Sequence, residues 1–164
     1  MPRLAALTLA LLASAASATA LPSALNGTQV RGEATFRFLG IPLYDARLYT
    51  KDGAALSWAE PFGIELTYRK NLTQYDLVES TMREFDRTGG TPMPVRDQLE
   101  TCFQDVKKGD RFLAVTEGAN QVGFWLNDRR TCALKYPQIS QRFMGIFIGD
   151  NTRSRSFTRN LKGE

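Results

Sequence analysis

The apolar positions of this chain change period in blocks, and the blocks predict its elements. Thr28 to Phe38 carries Val30, Ala34, Phe36 and Phe38 at even spacing, the alternation of a half-buried strand. Gly40-Ile41-Pro42 breaks it. Leu43 to Thr50 resumes, with Tyr44, Ala46 and Leu48 on one parity and Leu43, Asp45, Arg47 and Tyr49 on the other. Lys51-Asp52-Gly53 predicts a turn. Phe62 to Arg69 is a third strand, with Phe62, Ile64, Leu66 and Tyr68 facing one way.

The period then lengthens. Thr73 followed three residues later by Asp76 predicts a helix opened by a capping box, with Asp in the usual Glu position. Leu77, Val78, Thr81, Met82 and Phe85 form its stripe, and Gly89-Gly90 ends it. A second helix is predicted from Pro92–Pro94, with Val95, Leu99, Cys102, Phe103 and Val106 on one face. The run Lys107-Lys108-Gly109-Asp110 suits its C-terminus. Arg111 to Glu117 and Gln121 to Asn127 read as a hairpin around Gly118-Ala119-Asn120, followed by a polar turn and a short strand at Cys132 to Lys135.

Phe143 to Gly149 follows a Pro137-started helical stretch and is apolar on almost every face, so the helix it forms must be buried. Its glycines would permit close approach of a backbone or a ligand. A last helix is expected from about Arg153, capped by Thr152, with Phe157 and Leu161 inward. The order βββ-αα-βββ-αα predicts an α+β fold, a mostly antiparallel sheet with helices layered on one face.

Residues 1–20 read as a cleavable signal peptide: a short positive start at Arg3, an apolar run from Leu4 to Leu12, and the small-residue pattern Ala18-Thr19-Ala20. The expected mature chain, 21–164, is one domain by size, and the expected location is periplasmic or secreted. The apolar run is short for a membrane span. A formal net charge of +4 is mild. The basic residues Arg153, Arg155, Arg159 and Lys162 fall at helical spacing and read first as a solvated face, so no nucleic-acid partner is expected.

Two cysteines, Cys102 and Cys132, suggest one disulfide in an exported chain. The sequence contains no histidine. That removes Ser-His-Asp and Cys-His machinery and most transition-metal sites, and neither a metal nor a cofactor is expected.

Few residues remain for chemistry. Tyr44, Tyr49 and Tyr68 lie on predicted strands with Arg37 and Arg47 near them, and Asp45 shares parity with Arg47 as a candidate surface pair. A Tyr or Arg reaching a cavity could hold an anionic or phenolic head group, while a Tyr can equally anchor a core with its hydroxyl at the rim. Glu79, Arg83, Glu84 and Arg87 have the spacing of a solvated helix face. Phe36, Phe38, Phe62, Phe124, Trp125, Phe143 and Phe147 occur in both layers. They read either as plain core or as the wall of an apolar ligand cavity.

Several segments in order resemble the chalcone isomerase-like family, in a bacterial exported form. They are Gly32-Glu33-Ala34, Tyr44-Asp45-Ala46-Arg47-Leu48-Tyr49, Phe62-Gly63-Ile64-Glu65-Leu66-Thr67-Tyr68-Arg69, Val106-Lys107-Lys108-Gly109-Asp110-Arg111, Phe124-Trp125-Leu126-Asn127, and Phe143-Met144-Gly145-Ile146-Phe147-Ile148-Gly149. The resemblance implies an open-faced β-sandwich with a ligand cleft between sheet and helices. Plant members cyclise chalcones with a cleft arginine, a strand threonine and a late substrate-binding threonine; other members bind fatty acids without catalysis. In this register Tyr44 stands at the strand threonine and Ile146 at the late threonine, with Arg31 and Arg37 as candidates for the cleft arginine.

The resemblance therefore implies a non-catalytic protein that binds a fatty acid or other small amphipathic ligand. Arg37, Tyr44 and Tyr68 are its expected polar contacts, and Phe143, Ile146 and Phe147 its apolar lining. The alternative is an intramolecular lyase acting on a chalcone-like enone, with Arg37 and Tyr44 as its catalytic residues.

Overall fold

A computed structural model describes residues 21–164; the predicted leader lies outside them. Six strands form one antiparallel sheet in sequence order: β1 (Thr28–Phe38), β2 (Ile41–Lys51), β3 (Gly63–Tyr68), β4 (Arg111–Thr116), β5 (Gln121–Leu126) and β6 (Arg129–Lys135). Four helices, α1 (Gln74–Thr88), α2 (Arg96–Cys102), α3 (Ile139–Ile148) and α4 (Arg155–Lys162), cover one face. The α+β architecture and the element order match the sequence expectation. Among the described residues no helix is long and apolar enough to cross a membrane.

Alternation decides which side chains face the helices. Ala46 and Leu48 of β2, Ile64, Leu66 and Tyr68 of β3, Phe112 and Ala114 of β4, and Val122 and Phe124 of β5 join the helices in the main core. The other parity builds a smaller cluster of Leu25, Leu113, Val115 and Trp125, which the 3₁₀ turn Ser23–Leu25 helps to cover. The sheet is thus packed on one face and half-open on the other.

The capping box of α1 forms as expected: the Asp76 amide donates to the Thr73 hydroxyl at 3.1 Å and the Thr73 amide to the Asp76 carboxylate at 3.0 Å. The second helix is much shorter than its stripe suggested. It ends at Cys102, Phe103 turns extended, and Val106 forms a β-bridge with Leu72. Lys107–Asp110 is accordingly a loop, closed by the Lys107 amide on the Asp110 carboxylate at 2.7 Å. Local pattern favoured a longer helix, but the Leu72 pairing and the Cys102–Cys132 disulfide between α2 and β6 hold the chain otherwise.

Strand β2 begins at Ile41, so Gly40-Ile41-Pro42 does not break the sheet beyond a tight turn. The last helix begins two residues later than expected. Ser154 is its cap, accepting from the Phe157 amide, and the Thr152 hydroxyl instead meets that of Thr158 at 2.6 Å.

Helix α3 buries Ile139, Phe143, Met144 and Ile148 in the core, but Gly145, Ile146 and Phe147 are only half-buried, so the helix is not enclosed on every face as its composition led us to expect. Its two glycines differ. A Cβ at Gly149 would stand 2.6 Å from the Gly145 carbonyl, whereas one at Gly145 would meet open space. Close approach is the reason for glycine only at the helix end. A similar restriction seats α4: a Cβ at Gly32 of β1 would collide with the carbonyls of Asn160 and Leu161.

Candidate functional site

Between the sheet and the helices lies a cavity of about 350 Å³. This is within the size range of small-molecule sites. Strand parity supplies its floor from Phe36, Tyr44, Leu66 and Tyr68, and its roof comes from α1, α3 and the turn into α4.

Tyr44 is at the centre. It stacks on Phe36 with ring centroids 5.2 Å apart and meets Tyr68, Phe147 and Phe157 edge-on at 6.3, 6.5 and 6.1 Å. Offset and edge-on pairs satisfy the ring quadrupoles and hold the side chain without a hydrogen bond. Phe143 continues the aromatic wall, 5.1 Å from Phe124 and 6.0 Å from Phe147.

Five of the six expected contact residues line this one space: Tyr44, Tyr68, Phe143, Ile146 and Phe147. Arg37 does not. It alternates with Phe36 and Phe38, both of which line the cavity, so its guanidinium leaves the opposite side of β1 and donates to the Gly40 carbonyl at 3.2 Å. Arg31 is also outside the lining; its guanidinium donates to the carbonyls of Lys162 and Gly163 and fastens the end of α4.

Two arginines do reach the cavity, Arg83 of α1 and Arg153; Arg153 is the one held by a carboxylate. It is paired with Glu84 of α1, which also accepts from Arg87 at 2.7 and 2.9 Å. Burial opposes the charge on Glu84, but the hydrogen bonds from Arg87 and Arg153 outweigh it and hold the carboxyl below its ordinary range. Burial first, then the neighbouring Tyr68 and Glu84, push the Tyr44 phenol far above its ordinary value, and burial does the same to Tyr68. Both phenols are neutral donors at any physiological pH. Among the described residues neither hydroxyl has a hydrogen-bond partner, while the cavity around them is mostly apolar.

Glu84 and Arg153 were both read from sequence as parts of solvated faces. For Glu84 a signal existed: it stands seven residues after Leu77, two turns along the same buried stripe. For Arg153 none did, because its partner is 69 residues away in sequence. The expected Asp45–Arg47 pair is also replaced. Asp45 bonds Arg69 at 2.8 Å and Thr35 at 2.6 Å, and Arg47 bonds Glu33 at 2.8 Å, all across strands.

The antiparallel sheet covered on one face by a layer of helices is the chalcone isomerase-like α+β fold that the sequence led us to expect. The solved structure of the Arabidopsis thaliana fatty-acid binding protein AtFAP1 superposes on this chain with a TM-score of 0.63 at 10% identity. The match covers 89% of this chain and 90% of that one. No protein-family model and no curated protein sequence matches the chain.

Proposed function

We propose that this is an exported, non-catalytic protein that binds a fatty acid or a similar single-chain amphipathic molecule between sheet and helices. The observation that carries the reading is the pair of unpartnered phenols, Tyr44 and Tyr68, beside the Arg153–Glu84 pair in a mostly apolar cavity. A carboxylate head group accepts hydrogen bonds from both phenols and shares the Arg153 guanidinium. The tail runs along Phe143, Ile146 and Phe147, each buried methylene contributing about 0.8 kcal/mol. The fold shared with a fatty-acid binding protein supports this reading.

The same geometry favours binding over enone cyclisation. That reaction gains from a group that stabilises a developing oxyanion; the Arg153 guanidinium beside Tyr44 and Tyr68 already faces the Glu84 carboxylate. Ile146 presents no hydroxyl to the cavity.

Titration of the purified protein with a fluorescent fatty acid, alongside mass spectrometry of co-purifying lipid, tests the proposal. Wild-type protein takes up the probe. Tyr44→Phe and Arg153→Ala each weaken binding by about tenfold, Ile146→Trp blocks it by filling the cavity, and Arg37→Ala leaves it unchanged. A wild-type protein that takes up no fatty acid, or that consumes chalcone as judged by loss of its long-wavelength absorbance, sinks the reading.

A further inference from the structure

Phe38, Ser80, Arg83 and Arg153 line the cavity and are exposed as well, so they stand where it opens to solvent. Ser80 and Arg83 lie three residues apart on α1, and Glu84 follows Ser80 by four, which brings all three to one side of the helix. Arg153 enters from the turn before α4 and meets Glu84 there.

The charges at this rim are not equivalent. Glu84 is buried, and Arg87 and Arg153 together hold its carboxyl ionised. The charge of Arg153 is thus already offset by a carboxylate. Arg83 has no such partner: among the described residues no carboxylate oxygen lies within 4 Å of its guanidinium. Glu79, one turn earlier on α1, is taken by Arg96 of α2. Asp86, one turn later, and Asp150, in the turn after α3, keep their charge but form no part of the lining.

The two arginines of α1 therefore differ in a telling way. Arg87 is tied to Glu84 and lies outside the lining, whereas Arg83 is untied and lies within it. An exposed guanidinium attracts an anion weakly in water, but beside a mostly apolar cavity the same charge acts through a lower effective dielectric. A head group entering past Arg83 meets no competing carboxylate on that arginine.

We propose that Arg83 is the specificity-determining residue of this cavity: its free guanidinium makes the site take single-chain molecules with an anionic head in preference to neutral molecules of the same chain length. Arg153 and the two phenols orient the head group, and Arg83 selects its charge. The inference rests on the cavity being a lipid site, and the test separates the two.

The test is isothermal titration calorimetry with dodecanoate and with dodecanol, at slightly alkaline pH where the free carboxyl is ionised. Wild-type protein binds dodecanoate at least about tenfold more tightly than the alcohol. Arg83→Gln cuts that preference by about fivefold, through dodecanoate alone, and melts with wild type because no ion pair is lost. Arg83→Lys keeps the charge and most of the preference. Added salt weakens dodecanoate binding to wild type more than to Arg83→Gln.

The assignment is overturned if Arg83→Gln keeps the full preference, which places selection with Arg153, or if it loses both ligands equally, which makes Arg83 a packing residue. Wild-type protein that binds the two alike overturns it too, while leaving the cavity standing as a lipid site. Wild-type protein that binds neither removes the fatty-acid reading itself, and the role of Arg83 with it.

Discussion

Tyr44 and Tyr49 leave the same strand on opposite faces, and the contrast between them separates the two sides of this sheet. Tyr49, on the open face, donates to Glu65 at 3.4 Å, within a lattice where Glu65 also lies 3.6 Å from Arg111 and Arg111 bonds Asp128. Cross-strand partners satisfy each charge there. Tyr44, under the helices, has four aromatic neighbours and no partner for its hydroxyl among the described residues. A polar group kept unpaired in an apolar setting costs free energy that pairing would avoid. The Tyr49 side closes its polar groups on one another, and the Tyr44 side leaves a phenol facing an apolar cavity.

That contrast is exposed to test from its strongest consequence downward. Phe143→Ala, deleting a ring between Phe85, Phe124 and Phe147, destabilises the fold by about 3–5 kcal/mol in urea unfolding. A loss as small as that of an exposed pair such as Arg47–Glu33, at most about 1 kcal/mol, would mean the covered face is no better packed than the open one.

Replacing both Cys102 and Cys132 by Ala costs about 3–4 kcal/mol, because the bridge spans 30 residues and ties the helical layer to the sheet. The same midpoint shift on adding reductant to wild-type protein checks that the bond rather than packing is responsible.

The two tyrosines should part ways. Tyr44→Phe leaves stability within about 0.5 kcal/mol of wild type, since no bond is lost, but weakens fatty-acid binding. Tyr49→Phe costs up to about 1 kcal/mol through Glu65 and leaves ligand affinity alone. Equal effects on both properties would erase the distinction between the faces.

Acid gives the smallest and most graded contrast. Glu84 and Asp45 both have carboxyls held below their ordinary range, by Arg87 and Arg153 acting against burial for Glu84, and by Arg69 and Thr35 acting against burial for Asp45. A depressed folded-state value contributes stability above the unfolded value, and that stability is lost as pH falls through the folded one. Melting temperature should therefore fall below about pH 4.5. Glu84→Gln should flatten that fall at low and high salt alike. Asp45→Asn should flatten it only at low salt, because Asp45 is the more exposed of the two.

Much of the frame was legible in the residues. Period-two runs placed six strands and the Thr73–Asp76 box placed the start of α1, because a strand's parity and a helix cap are local matters. Tyr44 and Tyr68 could be put on one face from their strands alone, and the register Tyr44↔Tyr68 bears that out. Arg37 failed by one position of that same alternation, a reminder that neighbours in a strand are opposites in space.

The sequence by itself determined the layers: which strand residues turn inward, that Phe143, Met144 and Ile148 face the core, and that two cysteines could bridge. Tertiary structure decided the polar end of the cavity. Arg153 meets Glu84, and the α2–β4 loop abandons its helical pattern to pair with Leu72, only because elements far apart in sequence are packed together. Local periodicity reports the face a residue occupies; which residue of another element stands opposite it is fixed by long-range packing, and the cavity's chemistry lies in those meetings.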